Sequence, residues 1–266
     1  MRETTTAYGL TFQFPALDTT VGRYLRDYGE FARPGVELAL QLSRGRTFVD
    51  VGANVGAFAL PVASQARRVV AIEAHDGLAA ILRDNIALNG LRNVEVIEGA
   101  AGEAPGEAAF PTAPLNQPLN HGAGGFGSDY PRRPVSVVPV DDCAPDDTAF
   151  VKIDVEGHEL AVLAGSGRLL NVVRPTWLIE SPDTPDARKV LELLLRHGYI
   201  TYWFFTPFFT PLSPRSGGAE RIQGDTNLLA VPAETQQPQG MNRALPTSPR
   251  PTSVRDFPYL SSYGFR

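Results

Sequence analysis

Several things are scarce in this chain of 266 residues. It has one cysteine, Cys143, which excludes an intramolecular disulfide and fits a reducing compartment. No apolar run reaches the ~18 residues that a membrane helix needs. The first residues lack the basic stretch and apolar core of a secretory leader. A cytoplasmic protein with no membrane partner is therefore expected. Positive charge is also short, with 24 Lys and Arg against 29 Asp and Glu and a formal net charge of −5. That balance disfavours a non-specific grip on nucleic acid, and no nucleic-acid partner is expected. There is no His/Cys cluster of zinc type, and no internal repeat.

The remaining composition, 43% hydrophobic and 20% charged, is that of an ordinary globular protein. The length suits one α/β domain with additions and allows a sizeable core. The organising stretch is Thr47–Phe58, reading TFVDVGANVGAF. A β-branched and aromatic run ends in Asp50, a turn carries Gly52 and Gly56, and a helical apolar pattern begins. A strand, tight turn and helix start of this kind is where backbone approaches a ligand closely. The spacing is neither G-x-G-x-x-G nor a P-loop, so both phosphate-cradling patterns fit poorly. An acid at the strand end suits a ligand with a cationic amine, such as the methionine part of S-adenosylmethionine.

In chain order, residues 1–45 form an N-terminal cap with a strand at Leu10–Phe14, a helix from Thr19 or Thr20 to Tyr28, and a helix opened by Pro34. Tyr28-Gly29-Glu30-Phe31 is either a connector or a cover for the crevice mouth, with Glu30 a candidate cofactor contact. Residues 46–232 form the main domain. Strands are predicted at Thr47–Val51, Arg68–Glu73, Val94–Glu98, Ala149–Asp154, Thr176–Glu180 and Tyr199–Phe204, and a last one at Asp225–Val231. Helices are predicted at Val55–Gln65, Asp76–Leu88, Glu156–Leu170 and Thr184–His197. Such alternation calls for a parallel sheet with right-handed crossovers. Two stretches rich in Pro and Gly, 101–134 and 205–222, are expected as substrate loops. Asn116, Asn120, His121, Ser128, Asp129 and Tyr130 give the first loop polar heads. From Ala233 to Arg266 the composition predicts a flexible or loosely docked tail, with Tyr259, Leu260, Tyr263 and Phe265 able to anchor it.

Two acidic clusters carry the chemistry. Glu73 ends a strand where doubly wound folds place an acid on the ribose hydroxyls, because a carboxylate accepts both hydrogen bonds. Ala74 follows it, and Ala100-Ala101 after the next strand leave room for an adenine ring. The second cluster is VKIDVEGHE at 151–159. It brings Asp154 to the carboxyl edge of the sheet, with Glu156, His158 and Glu159 close behind. Asp154, Glu156 and Glu180 could supply oxygens to Mg²⁺ or Ca²⁺, yet no metal is predicted. The plain reading of Glu156 and Glu159 is stabilisation of a helix N-terminus, with Lys152 paired to an acid.

Taken together, FVDVGANVGAF at 48–58, VVAIEAHDG at 69–77, NIALNGLRNVEVIEGAAG at 85–102 and VKIDVEGHELAVLAGSGRLL at 151–170 resemble the FkbM-type family of S-adenosylmethionine-dependent methyltransferases. The resemblance covers roughly residues 30–232. It implies an α/β fold of the class I methyltransferase, Rossmann-like kind. The sheet would have seven strands, mostly parallel with the last antiparallel, and helices on both faces. It also implies O-methylation of a hydroxyl on a small natural product, sugar or glycan. By the family pattern Asp50, Gly52, Ala53, Asn54 and Gly56 hold the methionine end, Glu73 the ribose, and Ala100 and Ala101 the adenine side. Asp154 and Glu156 match the acidic motif beside the methyl group and are the candidate general bases, with His158 and His121 as second choices. Two rivals are a nicotinamide oxidoreductase on a similar sheet and a non-catalytic cofactor-binding or assembly module.

Overall fold

The computed structural model describes residues 1–215 and 221–266. The chain opens with an antiparallel hairpin, β1 (Arg2–Ala7) and β2 (Leu10–Pro15). Helices α1 (Val21–Tyr28) and α2 (Arg33–Leu42) follow. Then come β3 (Thr47–Val51), α3 (Ala59–Ala63), β4 (Arg68–Glu73), α4 (Asp76–Leu88) and β5 (Val94–Glu98). Three short strands, β6 (Ala100–Ala101), β7 (Gly106–Pro111) and β8 (Arg132–Val138), form a separate sheet. The body is completed by α5 (Val140–Cys143), β9 (Thr148–Ile153), α6 (Glu159–Ala164), β10 (Thr176–Glu180), α7 (Pro185–Arg196), β11 (Tyr199–Pro207) and β12 (Gly224–Pro232).

The main sheet has seven strands in the order β11-β12-β10-β9-β3-β4-β5. β10, β9, β3, β4 and β5 pair in parallel, whereas β12 is antiparallel to both its neighbours. This is the Rossmann-like class I methyltransferase sheet implied by the resemblance. Strand alternation divides the core in two. Phe48 and Phe150 point to one face, 5.9 Å apart between ring centroids, and pack with Val36, Leu60 and Leu82. Val49, Val51, Val151 and Ile153 point to the other, with Trp177, Val162 and Leu194. Both faces are covered, which is why these strands read as continuous apolar runs. Among the described residues no helix is long and apolar enough to cross a membrane.

Local departures from the expected elements have identifiable causes. The helix expected from Val55 starts only at Ala59, because Asn54 and Gly56 adopt left-handed φ values of 52° and 95°. The helix expected from Glu156 starts at Glu159 for the same reason, since Glu156 and Gly157 have φ of 54° and 93°. It ends at Ala164, and a π-turn occupies Leu169–Val173. The cap of α1 is Asp18, whose carboxylate accepts from Thr20 N (3.0 Å) and Gly22 N (2.9 Å), and not the Thr20 hydroxyl. Part of the 101–134 stretch is β7 and β8, leaving 112–131 as loop. In the 205–222 stretch, Phe205–Pro207 prolong β11, and 216–220 lie outside the described residues.

The segment after Pro232 packs on the body instead of staying loose. Ala244 N donates to Thr201 O (2.9 Å) and Trp203 N to Asn242 O (2.9 Å), so the segment continues the sheet edge. Phe257, Leu260 and Phe265 are buried, which supplies the apolar burial that the composition around them lacks.

Candidate active site

Parallel strands deliver their C-terminal ends to one side of the sheet, and a cleft opens there at the switch in strand order. It holds about 1100 Å³ of empty space, part of it open to solvent. Of the residues expected to hold the cofactor or act in catalysis, all line this cleft except Glu30 and Gly56; of the loop's polar heads, Asn120 and His121 line it, and Asn116, Ser128, Asp129 and Tyr130 do not. Asp50 and Gly52–Asn54 come from the end of β3 and Glu73-Ala74 from the end of β4. Ala100 and Ala101 are β6, and Asp154, Glu156 and His158 follow β9.

The turn after β3 is tightly built. Gly52 has φ 79°, and a Cβ there would stand 1.9 Å from the Asp154 carbonyl oxygen, so only glycine fits. The backbone donors from Gly52 to Gly56 are used internally. Gly52 N and Ala53 N donate to Ile72 O (2.9 and 3.1 Å), and Gly56 N to Ala53 O (2.9 Å). Asn54 N donates to Glu73 Oε2 (2.7 Å) and Val55 N to the Asn54 side chain (2.7 Å). Gly56 does not face the cleft; a Cβ on it would meet Leu60 Cδ1 at 2.2 Å and Leu82 Cδ1 at 2.7 Å, so its role is close packing.

Glu30 also departs from the expectation. Its carboxylate is buried and accepts from Thr210 N at 2.6 Å, with Arg33 Nη1 3.6 Å away. It ties the connector between α1 and α2 to the loop after β11, while its neighbour Phe31 takes the place on the cleft wall.

Asp50 shares a buried charge network with Lys152 and Asp154. Lys152 Nζ lies 3.4 Å from Asp50 Oδ1 and 3.2 Å from Asp154 Oδ2, and donates to Gly52 O at 3.2 Å. Burial alone would lower the lysine; the Asp154 and Asp50 carboxylates outweigh it and hold the ammonium charged above its usual range. Burial pushes Asp50 up, opposed by Lys152. Asp50 therefore presents a paired charge to the cleft, with its cation beside it.

Glu73 is anchored from both sides, since Oε1 accepts from His75 N (2.8 Å) and Oε2 from Asn54 N. A carboxylate has about four acceptor sites, so each oxygen keeps one for a ligand. Burial raises the Glu73 carboxyl, against the pull of those two amides. His75 is a satisfied turn residue. Its Nε2 donates to Ala113 O (2.8 Å) and its Nδ1 accepts from Gly77 N (3.1 Å), capping α4.

The far side of the cleft is acidic and aromatic. One carboxylate oxygen from each of Asp154, Glu156 and Glu180 lies within 4.8 Å of the others. Asp225, at the start of β12, lines the same wall; nothing near it in sequence marked it, and only the insertion of β12 beside β10 brings it there. Burial, then the charge of Asp154, raises Glu156 to about 7 and Asp225 to about 8, and pushes the Glu180 carboxyl up as well. The left-handed φ of Glu156 is uncommon for a residue with a side chain and is typical of functional turns. His158 packs its ring 4.5 Å from that of Phe126, and burial lowers it. His121 is buried with Nδ1 3.9 Å from the Asp18 carboxylate. Phe31 and Phe208, stacked at 5.2 Å, close one side of the cleft.

This chain matches the Methyltransferase FkbM domain over residues 50–201 and belongs to that family. Membership implies S-adenosylmethionine as the cofactor. The chain is 35% identical over 88 residues to the 23S rRNA (uracil(1939)-C(5))-methyltransferase RlmD of Hahella chejuensis (strain KCTC 2396), covering 33% of this chain and 19% of that enzyme. Among solved structures it is similar to methyltransferase FkbM from Methylobacillus flagellatus KT, with 20% identity, a TM-score of 0.45, and coverage of 70% of this chain and 43% of that one. It is also similar to precorrin-6y C5,15-methyltransferase from Geobacter metallireducens GS-15, with 16% identity, a TM-score of 0.48, and coverage of 75% and 87%. The chain thus spans under half the length of that FkbM structure and about a fifth of the rRNA enzyme.

Proposed function

We propose that the protein is an S-adenosylmethionine-dependent O-methyltransferase acting on a hydroxyl of a small natural product or of a sugar or glycan. The observation that carries this reading is the placement of Glu156, a carboxyl raised to about 7, on the wall of the cleft that also holds Gly52, Glu73 and Ala101. A general base works best with a pKa near the operating pH.

The cofactor supplies an electrophilic methyl group on a sulfonium. The chain's residues bind and orient around it. Glu73 offers its free acceptor sites to the ribose hydroxyls, and Ala100 and Ala101 leave a flat wall for adenine. Asp50 and Lys152 set opposite charges side by side, which matches the zwitterionic end of an amino acid. Glu156 takes the hydroxyl proton onto its carboxylate as the acceptor oxygen attacks. Phe31 and Phe208 pack on the acceptor and exclude water. Lys152 is the only Lys or Arg among the described cleft-lining residues, so a phosphate backbone would meet mainly carboxylates. This supports a small hydroxylated acceptor over RNA.

The test is methyl transfer from labelled cofactor to a panel of phenols, polyol alcohols, sugars and RNA. Label on a hydroxyl acceptor, with Glu156→Gln losing about a hundredfold in kcat while S-adenosylhomocysteine still binds, is the expected outcome. Labelling of RNA alone, or full turnover by Glu156→Gln, would refute the reading.

A further inference from the structure

We infer that a second cavity beside the cleft is a subsite for an aromatic arm of the acceptor, one that carries no positive charge. This rests on the proposed transfer to a hydroxyl and deepens it by giving the acceptor a shape: a hydroxylated head in the cleft and a flat apolar arm outside it. Three observations carry it. The first is continuity. Phe208 lines both cavities, and the first residues of β12 are shared between them, with Asp225 on the cleft and its neighbours Gly224 and Thr226 on the second cavity. Successive residues of a strand point to opposite sides, so the two spaces stand back to back at the acidic end of the cleft. Phe208 is fixed between them by its stack on Phe31, by Tyr24 at 5.3 Å between ring centroids, and by its amide, which donates to Gln223 O (2.9 Å). An acceptor group that passes the edge of the Phe208 ring enters the second cavity. Gly52, Glu73 and Ala101, the cofactor's proposed partners, do not line it, so the arm belongs to the acceptor.

The second is the shape and chemistry of the walls. The cavity holds about 970 Å³ of empty space, part of it open to solvent, which is within the range of ligand pockets. Phe205, Phe208, Ile222, Val254 and Phe257 give it apolar surface. Phe205 and Phe257 stack with centroids 5.5 Å apart, and such rings pair favourably with a further ring. Gly224 permits this arrangement, since a Cβ there would stand 2.8 Å from Phe205 Cζ and 2.4 Å from Thr206 O. The outer wall is the C-terminal segment, held in place at several points. Thr252 N and Ser253 N both donate to Asp256 Oδ2 (3.0 Å each), and Arg250 donates to Ser181 O, next to Glu180 of the cleft.

The third is charge. The cleft is rimmed by carboxylates, whereas among the described residues the second cavity has none, and Arg221 is its one charged lining residue. A cationic arm would meet like charge there and no counter-ion. A neutral or anionic ring is the complementary occupant, and it gains by covering apolar surface that otherwise faces water.

The experiment measures binding to protein saturated with S-adenosylhomocysteine, so no methyl group moves. Calorimetry compares phenol with phenols that carry a second phenyl ring on linkers of increasing length. One linker length should bind about tenfold or more tighter than phenol, the gain expected for burying one ring. Thr252→Trp places a bulky side chain at the exposed rim of the cavity and should erase that gain. Ile222→Trp is the second variant should the first fold poorly, with affinity for S-adenosylhomocysteine as the check on folding. Glu192→Gln on the exposed face of α7 should keep the gain. A trimethylammonium group in place of the second ring should abolish it. The inference is overturned if no linker length improves on phenol, if the gain survives in both tryptophan variants, or if the ammonium arm binds as tightly as the phenyl arm. Transfer of labelled methyl to the same phenols is read separately. Transfer without an arm effect removes the subsite and leaves the proposed activity standing; an arm effect without transfer to any hydroxyl does the reverse.

Discussion

Gly125 lies flat against Glu156: a methyl group on Gly125 would stand 2.3 Å from the Glu156 carbonyl oxygen and 2.7 Å from its Cβ. The loop between β7 and β8 is thereby pressed onto the acidic motif and helps fix its left-handed turn. Gly125→Ala should push the two apart. A displacement of about 1 Å at reacting groups costs on the order of a hundredfold in rate. The expected outcome is a comparable fall in kcat with little change in Tm, read from steady-state kinetics and calorimetry. Equal activity would mean that the loop does not position Glu156.

Lys152 neutralises a carboxylate that has no water to fall back on. The Asp50 side chain is 1% exposed and that of Lys152 9%. Lys152→Met should cost about 3–5 kcal/mol, the usual penalty for stranding one partner of a buried pair. Adding Asp50→Asn should recover a large part of it. Urea unfolding of the two single variants and the double variant checks this; simple additivity would show that the pair is uncoupled.

Glu30 predicts a pH dependence. Burial raises its folded carboxyl above the ordinary 4.5, and the pull of the Thr210 amide and Arg33 only partly offsets it. The stability it contributes is complete below 4.5, where it is protonated in both states, and is lost as pH rises through the folded value. Glu30→Gln keeps an acceptor for Thr210 N and removes the charge. The variant should gain in Tm on the parent between pH 5 and 8 and bind S-adenosylhomocysteine unchanged. Weakened cofactor binding would restore Glu30 to the site.

Tyr259 pins the C-terminal segment. Its hydroxyl lies 2.7 Å from both Phe205 N and Phe205 O, accepting from one and donating to the other. Tyr259→Phe should cost about 1–3 kcal/mol for the two lost bonds, measured by chemical denaturation. An unchanged unfolding midpoint would show that the contact is not made in solution.

The body of the sheet was legible in sequence because its central strands are buried on both faces and even the half-exposed edge strand Val94–Glu98 keeps an alternating apolar run. Thr47–Val51, Arg68–Glu73, Val94–Glu98 and Thr176–Glu180 appear with the boundaries that their apolar runs suggest. Helix α4 was legible through its Asn89-Gly90 stop, Gly90 having φ 62°. β1 was not, because its residues are mostly Thr and Glu and only its partner β2 turns inward. Both helix starts beside the cleft were misplaced at left-handed residues, Asn54 and Glu156, where the turn overrides helix propensity. The carboxylates at strand ends could be read one by one. Asp225 could not, since its place depends on β12 inserting between β10 and β11. Lys152 carried a local signal, an odd charge within an apolar strand, but not its double partnership.

The pairing of residues 242–244 with β11 has a consequence for how molecules meet one another. β11 is the outermost strand of the sheet, nine residues long and dominated by Tyr, Trp, Phe and Ile. Left bare, such a margin is a template for stacking copy upon copy into fibrils. The backbone of Asn242 and Ala244 already occupies the amides of Trp203 and the carbonyl of Thr201. The chain thus seals its own growing end, and a protease nick before Asn242 would announce itself as turbidity well before any loss of helix.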